Sequence, residues 1–207
     1  MLVKKILGGF GMMSVLILLV SFAFFMYYLK AVKNYKFTTK TIVMIGLFSA
    51  ISYILSMVKF IQYPQGGGIG LFPMLPTLLI AILYGKEVGI TAGLIYGLLT
   101  LINGAYIIHP AQFLVDYILP TMVLGLAGIF GRDKKSDILK GCFLAVGLSV
   151  SMYIISGCVF FGDYAPEGMN VFVYSCIYNL SSSGVEGLLT IALIGLLPMK
   201  RLSKAIA

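Results

Sequence analysis

Charge is what this chain has least of. Its 207 residues carry 15 basic and 7 acidic side chains, 11% of the total, where a soluble domain carries about 25%. That supply cannot cover a globular surface, which argues against a soluble enzyme or a soluble nucleic-acid-binding domain. Histidine is reduced to one residue, His109, and no HExxH, GxSxG or clustered Cys/His ligand set occurs. A nucleophile–base pair or a metal centre has nothing to be built from, so the reading is a non-enzyme with no cofactor and no metal. The three cysteines, Cys142, Cys158 and Cys176, are odd in number, lie in apolar stretches and form no CxxC pair. They read as buried apolar thiols. Tryptophan is absent. Gly66-Gly67-Gly68-Ile69-Gly70 is glycine-rich but lacks the Lys and Ser/Thr of a phosphate loop, so it reads as a flexible turn. Nothing hydrolyses ATP here. Any uphill transport would draw on an ion gradient or a partner.

What the chain does have is apolar length. Sixty per cent of it is hydrophobic, and the mean hydropathy is +1.03, which excludes disorder. A membrane span takes about 20 apolar residues. The sequence predicts spans at about 6–29, 41–58, 69–84, 88–108, 111–130, 141–161 and 171–197. The first admits two readings. Ser21-Phe22-Ala23 has the small-x-small form of a signal-peptide cleavage site, but the apolar run continues unbroken through Tyr28, which favours a retained helix. With the lysine-rich link 30–40 placed inside, alternation puts Lys30, Lys33, Lys36, Lys40, Lys86, Arg132, Lys134, Lys135, Lys140, Lys200, Arg201 and Lys204 inside. Only Lys4, Lys5 and Lys59 fall outside. This follows the positive-inside rule and makes 59–68, 106–111 and 162–170 the external loops. The net charge of +8 therefore speaks for a lipid bilayer and not for nucleic acid. The fold class is an all-α polytopic membrane protein, with no internal repeat.

Polar groups within the apolar spans carry the functional signal. Asp116 is an intramembrane carboxylate, a functional candidate by default. No basic residue sits mid-span to neutralise it, so its counter-charge is either a ligand or an unidentified helix-packing or proton-relay partner. Glu186 is a second intramembrane acid, equally readable as a pocket group or as an interhelical hydrogen-bonding group. Tyr174 and Asn179 lie five positions apart, about 140° around a helix, and both can border a pocket near its outer end. The 13 Tyr and 14 Phe suit lipid-facing and interfacial positions. A cluster of them around one carboxylate would hold a planar organic cation through stacking and cation–π attraction. Gly46-x-x-x-Ala50 would let another helix approach closely.

Several motifs taken together resemble a known family. They are Pro64-Gln65-Gly66-Gly67-Gly68, Gly93-Leu94-Ile95-Tyr96-Gly97-Leu98-Leu99, His109-Pro110-x-Gln112-x-x-x-Asp116-Tyr117, and Gly125-x-Ala127-Gly128-Ile129-Phe130. Further along come Ser156-Gly157-x-x-Phe160-Phe161-Gly162-x-Tyr164-Ala165-Pro166-x-Gly168 and Val173-Tyr174-Ser175-x-x-Tyr178-Asn179. Over about residues 40–200, in order and spacing, they resemble the thiamine-specific S components of energy-coupling factor transporters.

The resemblance implies a six-helix S-component bundle over 41–207, preceded by one extra N-terminal transmembrane helix and its lysine-rich link over 1–40. It implies a bacterial cell-membrane subunit that binds thiamine or a close analogue from outside. Such a subunit works with a transmembrane coupling protein and two ATPase subunits. It assigns the substrate to Asp116, Tyr96, Tyr106, Tyr153, Gly157, Phe161, Tyr174 and Asn179, and the coupling protein to Gly46 and Ala50. Asp116 would bond the aminopyrimidine or balance the thiazolium, Tyr96 and Phe161 would stack on the rings, and Tyr174 and Asn179 would serve ring nitrogens or the amine. Two positions depart from the family pattern. Tyr153 stands where members commonly have histidine, and Ser149 where they often have Lys or Arg. These departures keep open an S component for a different heteroaromatic ligand, while the extra N-terminal helix and Gly46-x-x-x-Ala50 keep open a membrane scaffold without small-molecule cargo.

Overall fold

The computed structural model describes residues 11–63 and 67–206. The start of the expected first span, Lys4, Lys5 and the segment Pro64-Gln65-Gly66 lie outside the described residues. Eight helices and one two-stranded hairpin are present among them. In chain order they are α1 (Met12–Lys33), α2 (Thr39–Met57), β1 (Lys59–Gln62), β2 (Gly68–Gly70), α3 (Met74–Tyr84) and α4 (Lys86–Thr100). There follow α5 (Pro110–Gly128), α6 (Lys135–Phe160), α7 (Val171–Leu196) and the short α8 (Met199–Ile206). By length and composition, α1, α2, α5, α6 and α7 are long and apolar enough to cross a membrane.

Their outer faces explain the scarcity of charge. Leu19, Phe22, Ile42, Val43, Leu47, Phe143, Phe172, Ile177 and Leu188 are all exposed. Such continuous apolar surface is stable only against lipid. The inner faces are partly polar. On α2 the buried residues are Thr41, Ile45, Ser49 and Ser52. Ser49 Oγ donates to Ala92 O of α4 (2.9 Å), and Ser52 and Thr77 hydroxyls pair across α2 and α3 (3.0 Å). Between helices without water, such hydroxyl bonds join what apolar contact alone would not orient.

Two expected spans differ from the structure. The segment expected as a span from 69 begins as β2, so the helix proper has only 11 residues. That length suffices because α3 is central. Leu78, Ile80 and Ala81 have no exposure at all, and this helix meets protein on every side. The glycine-rich turn is in part ordered strand, with Gly68 and Ile69 pairing antiparallel to Gln62 and Ile61. The span expected to reach 108 ends at Thr100, followed by one tight turn and Gly104 in the left-handed region (φ 83°). A single residue, Gly85, joins α3 to α4 (φ 97°). That φ is open to glycine and strained for other residues, so the chain reverses there without a loop.

The core is one large cluster uniting Leu78, Leu124, Val146 and Ile194 from α3, α5, α6 and α7. Helices α4 and α5 touch along their backbones. A Cβ on Gly93 would strike Thr121 O, and one on Gly97 would strike Tyr117 O. The first helix packs along this pair. Tyr28 joins Ile90, Ile118 and Met122, Ile17 joins Ala111, Val115 and Leu119, and the Tyr28 and Thr91 hydroxyls pair at 3.1 Å. It runs through Lys33, past the expected end at 29, with Lys30 and Lys33 in its last turn, where cations favour a helix C-terminus.

Candidate ligand-binding site

The end of the bundle away from the basic loops holds a cavity of about 780 Å³. Its walls come from the hairpin, the turn after α4, the start of α5, the end of α6 and the start of α7. Local rules set each wall. His109 Nδ1 accepts from Ala111 N (3.0 Å) and Pro110 occupies the first turn, so His109-Pro110 caps α5. The imidazole stacks on Phe160 (5.3 Å between ring centres). The single histidine thus has a structural position at a helix end. Asn170 caps α7, accepting from Phe172 N (2.9 Å).

Two of the three helices that carry the site, α5 and α7, open into a wider π-type turn there. In α5 it spans Leu114–Ile118 and contains Asp116. In α7 it spans Leu180–Gly184, directly after Asn179. Such turns are rare and recur at functional sites, because the inserted residue re-aims side chains and leaves backbone groups for other partners.

Asp116 is the one carboxylate among the described residues of the wall. Gln112, one turn earlier and fully buried, donates from Nε2 to Asp116 Oδ2 (2.5 Å) and to Tyr106 O (3.2 Å). Its Oε1 accepts from Ile108 N (3.2 Å). Gln112 therefore ties the carboxylate to the 106–108 turn and holds one carboxylate oxygen, leaving the other for a ligand. Ser156 Oγ is buried and also lies near this carboxyl.

Seven aromatic residues line the cavity: Tyr106, Tyr117, Tyr153, Phe161, Tyr164, Tyr174 and Tyr178. Tyr174, Ser175, Tyr178 and Asn179 form two adjacent rows on one face of α7, so the 140° between Tyr174 and Asn179 is bridged by a broad face. Asn179 Nδ2 donates to Ser175 O (2.9 Å) and Tyr153 O (3.3 Å), and its oxygen is the atom that can serve a ligand. Gly157 is where α6 and α7 meet, since a Cβ there would strike Ser175 Oγ.

Of the eight residues expected to bind substrate, the structure brings Asp116, Tyr106, Tyr153, Gly157, Phe161, Tyr174 and Asn179 to this cavity. Tyr96 is not on the wall. It is 7% exposed, and its hydroxyl meets Ser56 of α2 instead. Ser149 is also off the wall, buried with its Oγ unpartnered. Of the two departures from the family pattern, only Tyr153 touches the cavity. Gln112, Tyr117, Tyr178, Lys59 and Gln62 were missed as site residues. Helical spacing could have found the first three: Gln112 is four before Asp116, Tyr117 is adjacent to it, and Tyr178 is four after Tyr174. Lys59 and Gln62 arrive on a hairpin that carries no such periodicity.

Glu186 lies outside the cavity, 7% exposed, and accepts from Gly70 N (2.6 Å). It is one of three ties from the hairpin to α7. Tyr178 Oη accepts from Gly67 N (2.9 Å) and Tyr63 Oη donates to Ser181 O (3.2 Å). The hairpin is thereby held over the cavity. The Gly46 and Ala50 positions sit on the opposite, outward side of α2. A Cβ on Gly46 would have nothing within 4 Å.

A family model described as "Thiamine transporter protein" matches residues 42–206. The protein named thiamine transporter ThiT in Bacillus subtilis (strain 168) is 33% identical over 150 residues, covering 65% of this chain and 78% of that one. The protein of the same name in Lacticaseibacillus paracasei is 30% identical over 142 residues, covering 61% and 71%. The solved structure of ThiT from Listeria monocytogenes superposes with a TM-score of 0.69 at 25% identity, covering 79% of this chain and 95% of that chain. Helix α1 precedes the matched residues.

Proposed function

The chain belongs to the thiamine transporter protein family and is a multi-pass bacterial membrane protein, and from this we propose that it is the thiamine-binding subunit of an importer. The observation that carries the proposal is the cavity itself: an aromatic-walled space with one anchored carboxylate, built entirely within the matched residues. Thiamine is a cation of two planar rings joined by a methylene. Its thiazolium ring suits aromatic faces and a nearby carboxylate. Its aminopyrimidine offers an N–H donor to the open oxygen of Asp116 and ring nitrogens to the tyrosine hydroxyls. Asn179 Oδ1 can accept a further N–H or O–H.

Transport then needs the rest of an energy-coupling factor complex, a transmembrane coupling protein and two ATPase subunits. The small-residue face at Gly46 and Ala50, flanked by exposed Ile42, Val43, Leu47 and Ile54, suits close docking of the coupling protein.

Titrating the detergent-purified protein with thiamine while following its melting temperature tests this reading. A ligand that binds only the folded state stabilises it by about 2.7 kcal/mol at 100 times its Kd, a shift of several degrees for a chain of this size. Saturable stabilisation by thiamine, cut to about a third in Asp116→Asn at the same concentration, is the expected result. Folded, monodisperse protein that responds neither to thiamine nor to its phosphates refutes it. Tyr153 in the wall supports a second reading, a related heteroaromatic ligand, which a competition panel separates from the first.

A further inference from the structure

The opposite end of the bundle carries a second cavity that the binding of cargo does not use. It holds about 330 Å³ between the start of α6, the end of α7 and the start of α8. Its floor is apolar: Ile138, Leu139, Ile194, Leu197 and Met199. Its rim is cationic, with Arg132, Lys135 and Arg201, and one carboxylate, Asp133. All four rim residues are exposed.

The chain makes this cleft by local means. Leu197 is extended (ψ 143°) and Pro198 follows, so α7 stops and the chain turns before α8. Gly195 puts no side chain into the opening, and a Cβ there would approach only Leu139, at 3.7 Å. Helix α8 then lies against the base of the bundle. Met199 and Leu202 enter the main core cluster, while Arg201 and Lys204 stay exposed. An apolar face turned inward and a basic face turned outward, at the end of a membrane bundle, is the pattern of a helix lying in the headgroup layer. Arg132 is oriented from behind, since its guanidinium donates to Leu83 O at the end of α3. Its remaining N–H groups are the kind that bind phosphate in pairs.

We propose that this cleft binds an acidic phospholipid, with its phosphate between Lys135 and Arg201 beside Arg132, and the first methylenes of a chain on Ile138, Leu139 and Ile194. Two features select a lipid over a soluble anion. The lining is mainly apolar, which a free phosphate would not use, and it opens at the basic end of the bundle, where the apolar helices α6 and α7 meet the amphipathic α8. The charge selects an acidic headgroup, since juxtamembrane Lys and Arg are drawn to anionic leaflets. Lys134 adds to the same local field, whereas Lys140 is paired with Asp137 (3.9 Å).

The test uses the full chain in an uncharged detergent. Its melting temperature is measured with added phosphatidylglycerol, phosphatidylcholine or inorganic phosphate. The same series is run on Lys135→Gln/Arg201→Gln, whose two positions are exposed and whose fold is checked by size exclusion and circular dichroism. The expected result is a rise of several degrees with phosphatidylglycerol alone, lost in a double variant that remains monodisperse and helical. An equal rise with phosphatidylcholine, an equal rise with inorganic phosphate, or a phosphatidylglycerol effect that survives in the variant overturns the assignment. Arg132→Gln is not the first choice, because removing its bond to Leu83 O would change the fold of the α3 end as well.

Discussion

At the scale of single residues, Asp116 and Gln112 divide one task. In the proposed site the carboxylate faces the cavity and the amide fixes it. Asp116→Asn keeps the shape, removes the charge and offers an N–H where an acceptor is needed. Losing a hydrogen bond to a charged group costs about 2 kcal/mol, so thiamine affinity should fall about thirtyfold in isothermal titration. Gln112→Ala should lower affinity through a different route, by releasing the 106–108 turn as well as Asp116. Its signature is a lowered melting temperature without any ligand, which Asp116→Asn should lack. Glu186 was legible as an intramembrane acid, yet its use was not. It holds Gly70 N, 116 residues away along the chain, and no local pattern announces such a pairing. Glu186→Ala leaves that buried N–H unsatisfied at a cost of about 2 kcal/mol, or about 4–8 °C in melting temperature. Glu186→Gln keeps an acceptor oxygen and should recover most of it. Equal losses in the two variants would show that the tie to Gly70 is not what the side chain supplies.

Elements act here through contact distance. Helices α6 and α7 meet at Gly157 and Ser175, with Asn179 Nδ2 reaching Tyr153 O across the same seam. Gly157→Ala puts a methyl where Ser175 Oγ lies. The Ser175 hydroxyl must rotate away from Ile154 O, and Asn179, whose Nδ2 would lie 3.4 Å from the new methyl, shifts with it. Thiamine affinity should fall at least tenfold while the protein stays folded and monodisperse. The α4–α5 seam is less forgiving, because the neighbour at Gly93 is the Thr121 backbone and not a side chain that can rotate. Gly93→Val should abolish folded protein altogether, seen as aggregation on size exclusion. Such seams were visible in the sequence only as glycines in apolar runs. Which helix each glycine faces is decided by packing. The hairpin is the clearest case of tertiary override. Gly66–Gly70 reads locally as a loose turn, and the order of its described residues comes from strand pairing and two bonds to α7, at Gly67 N and Gly70 N.

At the scale of the whole molecule the two sides of α2 do different work. The inward side pairs Ser49 and Ser52 with α4 and α3. The outward side presents Gly46 and Ala50 to whatever lies beside it in the bilayer. Gly46→Leu touches nothing in the isolated chain, so thiamine binding in detergent should be unchanged. ATP-dependent uptake by cells should be lost if the coupling protein docks there. Uptake at the parental rate would remove that face from consideration. The aromatic cavity and the basic cleft sit at opposite ends of α6 and α7. The middle of the bundle is filled by Leu78, Ile80 and Met122, which leave no space.

The sequence by itself determined the solvent, the long apolar helices that meet it, and the intramembrane acid Asp116. Each follows from composition, from periodic apolar length, or from the cost of placing one charge in hydrocarbon, and these act residue by residue. The motifs around Asp116, Gly157 and Tyr174 added most of the cavity wall. Only the tertiary structure decided that Tyr96 and Ser149 lie off that wall, that α3 can be 11 residues long, and that Lys59 and Gln62 reach the cavity from a hairpin. Those outcomes depend on which surfaces meet, and the meeting partners are far apart in the chain. Periodicity fixes the face of a helix but not the helix that covers it.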